Sequence, residues 1–183
     1  MAEIKPFRSV KPICGIIAAR DDVFDRAESA LTSLYGPFES RSPRFVFNLT
    51  SYYEPAMGGG LRRGFLSFEK LMDPSALAAV KIRTNALESE IAAEFACERR
   101  IVNLDPGYMT PAALIMATAK DFSHRVPLAG GIYAHLEFLF SRDGIRRLEW
   151  TYPDFLQEGY REFFLDARRA YLGQLRREGR PRR

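Results

Sequence analysis

The apolar run Ile13 to Ala19 constrains this chain more than any other feature of it. A strand built from that run has no solvent face, so it must lie centrally in a sheet that is covered on both sides. Asp21 or Asp22 then supplies a helix cap, Phe24, Ala27, Leu31 and Leu34 recur at helical spacing, and Gly36-Pro37 ends the helix. The expectation is a central strand flanked by the first two long helices.

Arg44 to Leu49, with Phe45, Phe47 and Leu49 on one face, and Arg62 to Phe68 read as the next strands, separated by a loop from Thr50 to Gly60. Asp73 caps a second helix with Pro74 in its first turn, and Leu77, Val80, Leu87, Ile91 and Phe95 form its buried stripe. Ile101 to Leu104 is a fourth short strand. The order strand, helix, strand, strand, helix, strand matches a ferredoxin-like split βαβ unit over roughly residues 10 to 105. After it, Thr110 and Pro111 open a short helix through Ala117, and Ile132 to Phe140 pairs with Ile145 to Trp150 around Asp143-Gly144. A last helix carries Tyr160, Phe163, Phe164, Ala167 and Tyr171 on one face. The expected class is α+β, a ferredoxin-like split βαβ core with a C-terminal helix-hairpin-helix extension. It is read as one domain over residues 1–175, followed by a basic, disordered tail over 176–183.

At 183 residues, with 46% hydrophobic and 27% charged, the chain is long enough for a single domain that buries roughly 70% of its unfolded surface. Its apolar runs are too short to span a bilayer, and the N-terminus, with Glu3 and Pro6, lacks the apolar core of a signal peptide. A cytoplasmic location and no membrane partner follow as expectations. Cys14 and Cys97 have no partner at metal or redox spacing and read as buried thiols. Arg176 to Arg183 contains five Arg and one Glu, a charge of +4 that equals that of the whole chain, so everything before it sums to zero. Nucleic acid contact is therefore expected only at the tail, if anywhere, and the favoured reading of the tail is a solubilising frayed end.

Two polar clusters carry the candidate chemistry. In Asn103-Leu104-Asp105-Pro106-Gly107-Tyr108, Pro106-Gly107 predicts a turn that leaves Asp105 at a strand end, either as a functional carboxylate or as a turn former. Tyr108 can stack on a ligand or serve as an anchor. In Lys120-Asp121-Phe122-Ser123-His124-Arg125, His124 can exchange protons near neutral pH, and Asp105 or Asp121 can orient it. Ser123 can bind or attack, and Lys120 with Arg125 can hold an anion; the structural alternative is a helix terminus. Tyr133 and Tyr152 complete the ligand-binding set. His135 and Glu137 project from one strand face with Tyr133, and with His124 and Asp105 they could make a mixed metal site. The solvent face of a hairpin is the simpler account of them, and no metal is assigned. Gly58-Gly59-Gly60 leads into a strand and lacks the Lys-Ser/Thr of a phosphate loop, which leaves Arg62 or Arg63 as anion contacts. No motif names a cofactor.

The succession Tyr52-Tyr53-Glu54 with Met57-Gly58, Phe65 to Glu69, Lys81 to Asn85, Asn103 to Tyr108, Thr118 to Arg125, Gly131 to Ala134 and Trp150 to Asp154 resembles a bacterial family known as domain of unknown function 4416. The likeness covers nearly the whole chain and implies no activity. Asp105, Lys120, Asp121 and His124 fall inside its motifs. The family pattern is often acidic at the position of His135, which argues against a histidine-dependent metal site there. The leading functional expectation is binding or hydrolysis of a small anionic ligand, a nucleotide or phosphorylated metabolite. The competing one is a non-catalytic module that binds RNA or protein through the basic tail and exposed tyrosines.

Overall fold

The computed structural model describes residues 3–50 and 52–178. They form an α+β structure on one nine-stranded sheet in which every pairing between strands is antiparallel. In chain order the elements are β1 (Lys11–Ala18), α1 (Asp21–Tyr35), β2 (Phe38–Arg41), β3 (Phe45–Val46), α2 (Glu54–Met57), β4 (Arg62–Phe68), α3 (Leu77–Glu94), β5 (Val102–Met109), β6 (Ala113–Thr118), β7 (Val126–Pro127), β8 (Tyr133–Ser141), β9 (Gly144–Arg147) and α4 (Glu158–Glu178). The main strand order is β2-β4-β1-β5-β6-β8-β7, with β3 beside β4 and β9 beside β8. No described helix is long and apolar enough to cross a membrane.

The apolar run lies where its composition demands. β1 sits between β4 and β5 with all eight residues buried. Cys14, Ile16 and Ala18 pack under α1 and α3 with Val23, Leu31, Leu87 and Ile91. Ile13, on the opposite face, joins Phe65, Met109 and Phe138 beneath Tyr160, Phe163, Phe164 and Tyr171 of α4. Ile17 is covered by Phe47 and Leu61 from the segment before β4. Asp21 and Asp22 occupy the first turn of α1 rather than its cap, where their charge favours the helix dipole. Asp73 accepts from the Ser75 N–H at 2.8 Å and starts a short 3-10 turn that feeds α3.

Three local expectations are corrected. The strand over Arg44–Leu49 shrinks to Phe45–Val46, and an edge strand forms instead at Phe38–Arg41. The helix expected after Thr110 is β6, so the C-terminal region is strand, hairpin and helix. Thr110 does cap, but it caps a turn: its Oγ1 accepts from the N–H groups of Ala112 and Ala113, and the chain reverses into β6. The helix-favouring Ala-Leu-Ile-Met-Ala sequence is overridden because β5 and β8 both offer it an edge. The tail boundary also moves, since α4 continues through Arg176, Arg177 and Glu178; residues 179–183 lie outside the described ones.

Pro106 and Gly107 make no turn and continue β5. Leu104 directs its N–H to Glu88 and its C=O to Lys81, away from β1. By alternation the Pro106 nitrogen points to that same unpaired edge, where a missing N–H costs no ladder bond. Gly107 is required by close approach, because a Cβ there would lie 2.4 Å from Met116 Sδ and 2.5 Å from the Ile115 carbonyl. Gly107→Ala is expected to force β6 away from β5 and to lower stability by about 1–3 kcal/mol, read as a shift in urea midpoint. An unchanged midpoint would show that the contact relaxes freely.

Candidate functional site

β5 and β6 pair only through Gly107–Met116, Tyr108–Ile115 and Met109–Leu114. Beyond Gly107 the two strands part while β6 stays on β8, and the split opens a cavity of about 1020 Å³. α3 lines its edge: Lys81 Nζ donates to the Leu104 carbonyl at 2.7 Å, and Glu88 Oε1 accepts the Leu104 N–H at 2.7 Å. The open edge of β5 is thus satisfied by side chains, which leaves the gap free of a competing strand.

Arg63 organises the floor. It projects from β4 over Gly15, donates to Asp154 and Asp105 at 2.5 and 3.0 Å, and lies 4.6 Å from the Phe155 ring. Gly15 leaves room for this, since a Cβ there would meet Phe65 at 3.2 Å and the guanidinium at 3.3 Å. Burial opposes ionisation of Asp105, but Arg63 and then Lys81, 3.9 Å away, outweigh it and hold the carboxyl below the usual aspartate range. About a fifth of that side chain stays open to the cavity, with 21% of it exposed. Arg100 links Glu88 and Asn103 in a second polar group, and burial pushes the Glu88 carboxyl up despite the Arg100 charge.

Four buried side chains lining the cavity keep unused polar atoms, Arg63 on the floor through its Nε and Asn103, His135 and Glu137 on the wall. Asn103 gives its Oδ1 to Arg100, while its Nδ2 lies near Asp105 without a well-formed hydrogen bond. His135 Nε2 and Glu137 Oε2 stand 3.1 Å apart but off the line of a hydrogen bond. Glu137 is the extra residue where the β6–β8 register slips, Leu114 pairing with Phe138 and Ile115 with Leu136, and such bulges re-aim side chains. Phe47, Tyr52, Tyr53 and Tyr152 supply flat walls, and Lys120 stands at the mouth with Nζ 3.4 Å from the Tyr52 ring centre.

The second sequence cluster lies on the β6–β7 connection, not at a helix end. Arg125 donates to the Lys120 carbonyl at 2.8 Å and to the Tyr152 hydroxyl at 2.7 Å. His124, stacked on Trp150 at 4.7 Å, lines a neighbouring hollow of about 780 Å³ with Ser123, Arg125 and Tyr152. Burial, then the charges of His135 and Arg125, hold the His124 imidazole below the ordinary histidine value. Tyr152 belongs to both hollows. Asp105 and Lys120 belong to the larger one. Asp121 is exposed, Tyr108 packs with Leu77 and Ala78, and Tyr133 pairs across to Thr118 and Pro127, and none of the three lines either hollow. Neither Asp105 nor Asp121 partners His124; among the described residues its hydrogen-bond neighbour is His135. No three His, Cys, Asp or Glu side chains among the described residues converge as metal ligands.

The residues missed from sequence are Lys81, Glu88, Arg100 and Asp154; Asn103 stands in the first cluster, where the sequence assigns it no role. A signal for two of them was present: Leu77, Lys81, Thr84, Glu88 and Ile91 share one helical stripe, and charges on a stripe that is otherwise buried need partners. Asp154 gave none, because its partner Arg63 lies 91 residues away.

No curated protein and no solved structure gives a significant match to this chain. The family model described as Domain of unknown function (DUF4416) matches residues 8–171, which contain every residue of both hollows. On that match the chain belongs to the family DUF4416.

Proposed function

We propose that the cavity between β5 and β6 binds a small anionic ligand, a nucleotide or phosphorylated metabolite. The observation that carries this reading is the set of buried, unpartnered polar atoms of Asn103, His135 and Glu137 on its wall, since buried polar groups are otherwise satisfied. The floor cations are already matched, Arg63 by two aspartates and Arg100 by Glu88, so the anionic end belongs at the mouth, with Lys120. The ring of the ligand would lie against Tyr52, Tyr53 or Tyr152, with its polar edge toward Asn103 and Glu137. Arg125 and Ser123 would act from the neighbouring hollow. The same reading takes the chain as one α+β domain working in the cytoplasm, with two free cysteines in support. It takes the first half as a ferredoxin-like split βαβ unit, supported by the antiparallel order β2-β4-β1-β5 with α1 and α3 as crossovers.

Calorimetric titration with AMP, ADP, ATP, ribose 5-phosphate and inorganic phosphate tests the reading. At least one organic phosphate should bind, and Lys120→Ala and Asn103→Leu should each weaken it about 10-fold or more without unfolding the protein. No binding by any of them, together with salt-sensitive RNA binding, would favour the interaction module instead.

A further inference from the structure

Glu137, His135 and His124 stand in line from the cavity wall to the neighbouring hollow. His135 Nε2 is 3.1 Å from Glu137 Oε2, and His135 Nδ1 is 3.1 Å from His124 Nε2. His135 and Glu137 are 1% and 0% exposed, whereas His124 is half-buried and opens on the outer hollow. The proton positions follow from Arg125. Its Nε–H lies 3.4 Å from His135 Nδ1, and a guanidinium can only donate, so Nδ1 carries the lone pair. The His135 proton then sits on Nε2, on the Glu137 side but off the line to Oε2. His124 must in turn donate its own Nε2–H to His135 Nδ1. Every proton in the row points inward.

We propose that these three residues form a proton-delivery chain from solvent to the ligand cavity, with Glu137 as its acid. The function it serves rests on the cavity being the ligand site, but its existence does not. In the delivery step the Glu137 carboxylate turns until Oε2 lies on the Nε2–H line, and the His135 Nε2–H bond breaks as a Glu137 Oε2–H bond forms. The His124 Nε2–H bond breaks as an Nδ1–H bond forms on His135, and the longer Arg125 contact is given up. A solvent water in the outer hollow gives a proton to His124 Nδ1, its O–H bond breaking as the Nδ1–H bond forms, and the hydroxide passes into bulk solvent. Glu137 passes its proton to a ligand atom that gains negative charge, such as the departing oxygen of a phosphate ester, and nothing is oxidised or reduced. Around the chain, Arg125 faces His135 and Tyr152, the Tyr152 N–H donates to Glu137 Oε1 at 2.8 Å, and Arg63 lies farther inside; Glu149 lines the outer hollow. Burial raises the Glu137 carboxyl above its ordinary value, only partly offset by His135, which suits a group that must hold a proton before releasing it.

The chain has only two histidines, so ¹⁵N-histidine labelling gives two imidazoles that a single His124→Phe variant assigns. In the free wild-type protein at pH 7.5, long-range ¹H–¹⁵N spectra should show the Nε2–H tautomer for His135. His124→Phe, which keeps an aromatic ring against Trp150, should slow solvent exchange of the His135 Nε2 proton about tenfold. An Nδ1–H tautomer for His135 in the wild type would overturn the proposal, and so would unchanged exchange in the folded variant. No ligand enters this test, so its failure is distinct from a failure of the binding titrations.

Discussion

Replacing Arg63 by Met is expected to lower stability by about 3–5 kcal/mol at pH 7, because it strips Asp154 of its cation and leaves Asp105 with only Lys81, 3.9 Å away. The pH dependence separates this cause from lost packing. In the wild type the Asp105 carboxyl is held below 3.8, so its stabilising share is present above that value and lost as pH falls through the lower folded value. Without Arg63, burial of Asp105 is opposed only by Lys81, Asn103 and Arg100, so the folded carboxyl rises from its wild-type value. The folded variant then binds protons at higher pH than the folded wild type, and the stability gap between the two narrows as pH falls from 7 toward 4. Urea unfolding at the two pH values measures this. Adding Asp105→Asn and Asp154→Asn to the variant should restore part of the loss, since no buried charge then lacks a partner. An equal loss at both pH values would assign the effect to shape alone.

Phe65→Ala should cost about 3–5 kcal/mol, the range for removing a large aromatic from a core that cannot collapse around the gap. Phe65 is 1% exposed, and its ring centre lies 4.7 Å from that of Tyr160, 5.0 Å from Phe164, 5.6 Å from Phe155 and 5.8 Å from Phe163. It is the point at which α4 and the Phe155 turn meet the sheet. Hydrogen exchange should therefore rise first along α4, and the Asp154–Arg63 pair should loosen with it because Asp154 immediately precedes Phe155. A drop below about 1 kcal/mol with α4 protection intact would show that α4 is held elsewhere, for instance through Tyr171, whose hydroxyl donates to the Ser9 carbonyl.

Much of the scaffold was legible because the relevant signals are local. An apolar run without a polar face has one stable place, and β1 occupies it. The strand Arg62–Phe68, the reversal at Asp143-Gly144 and the aromatic stripe of α4 depend on spacing within a few residues, and each lies where spacing puts it. The first polar cluster also marked the cavity, since Asn103 and Asp105 line it. The second marked its mouth through Lys120 and the outer hollow through His124 and Arg125.

Segments with two locally acceptable conformations were settled only by the tertiary structure. Residues 113–118 favour helix by composition, yet two waiting strand edges make them β6. Pro106-Gly107 signals a turn in isolation, but β1 on one side and Met116 on the other make it part of β5. The partners of the charged residues were decided at the same level. Asp105 answers to Arg63 across 42 residues and Asp154 to the same guanidinium across 91, while His124 answers to His135 rather than to either aspartate. Spacing along the chain reports which face a residue occupies, because that follows from backbone geometry. Which buried charge meets which depends on how the strands stack and where they part, and a local window holds no record of that.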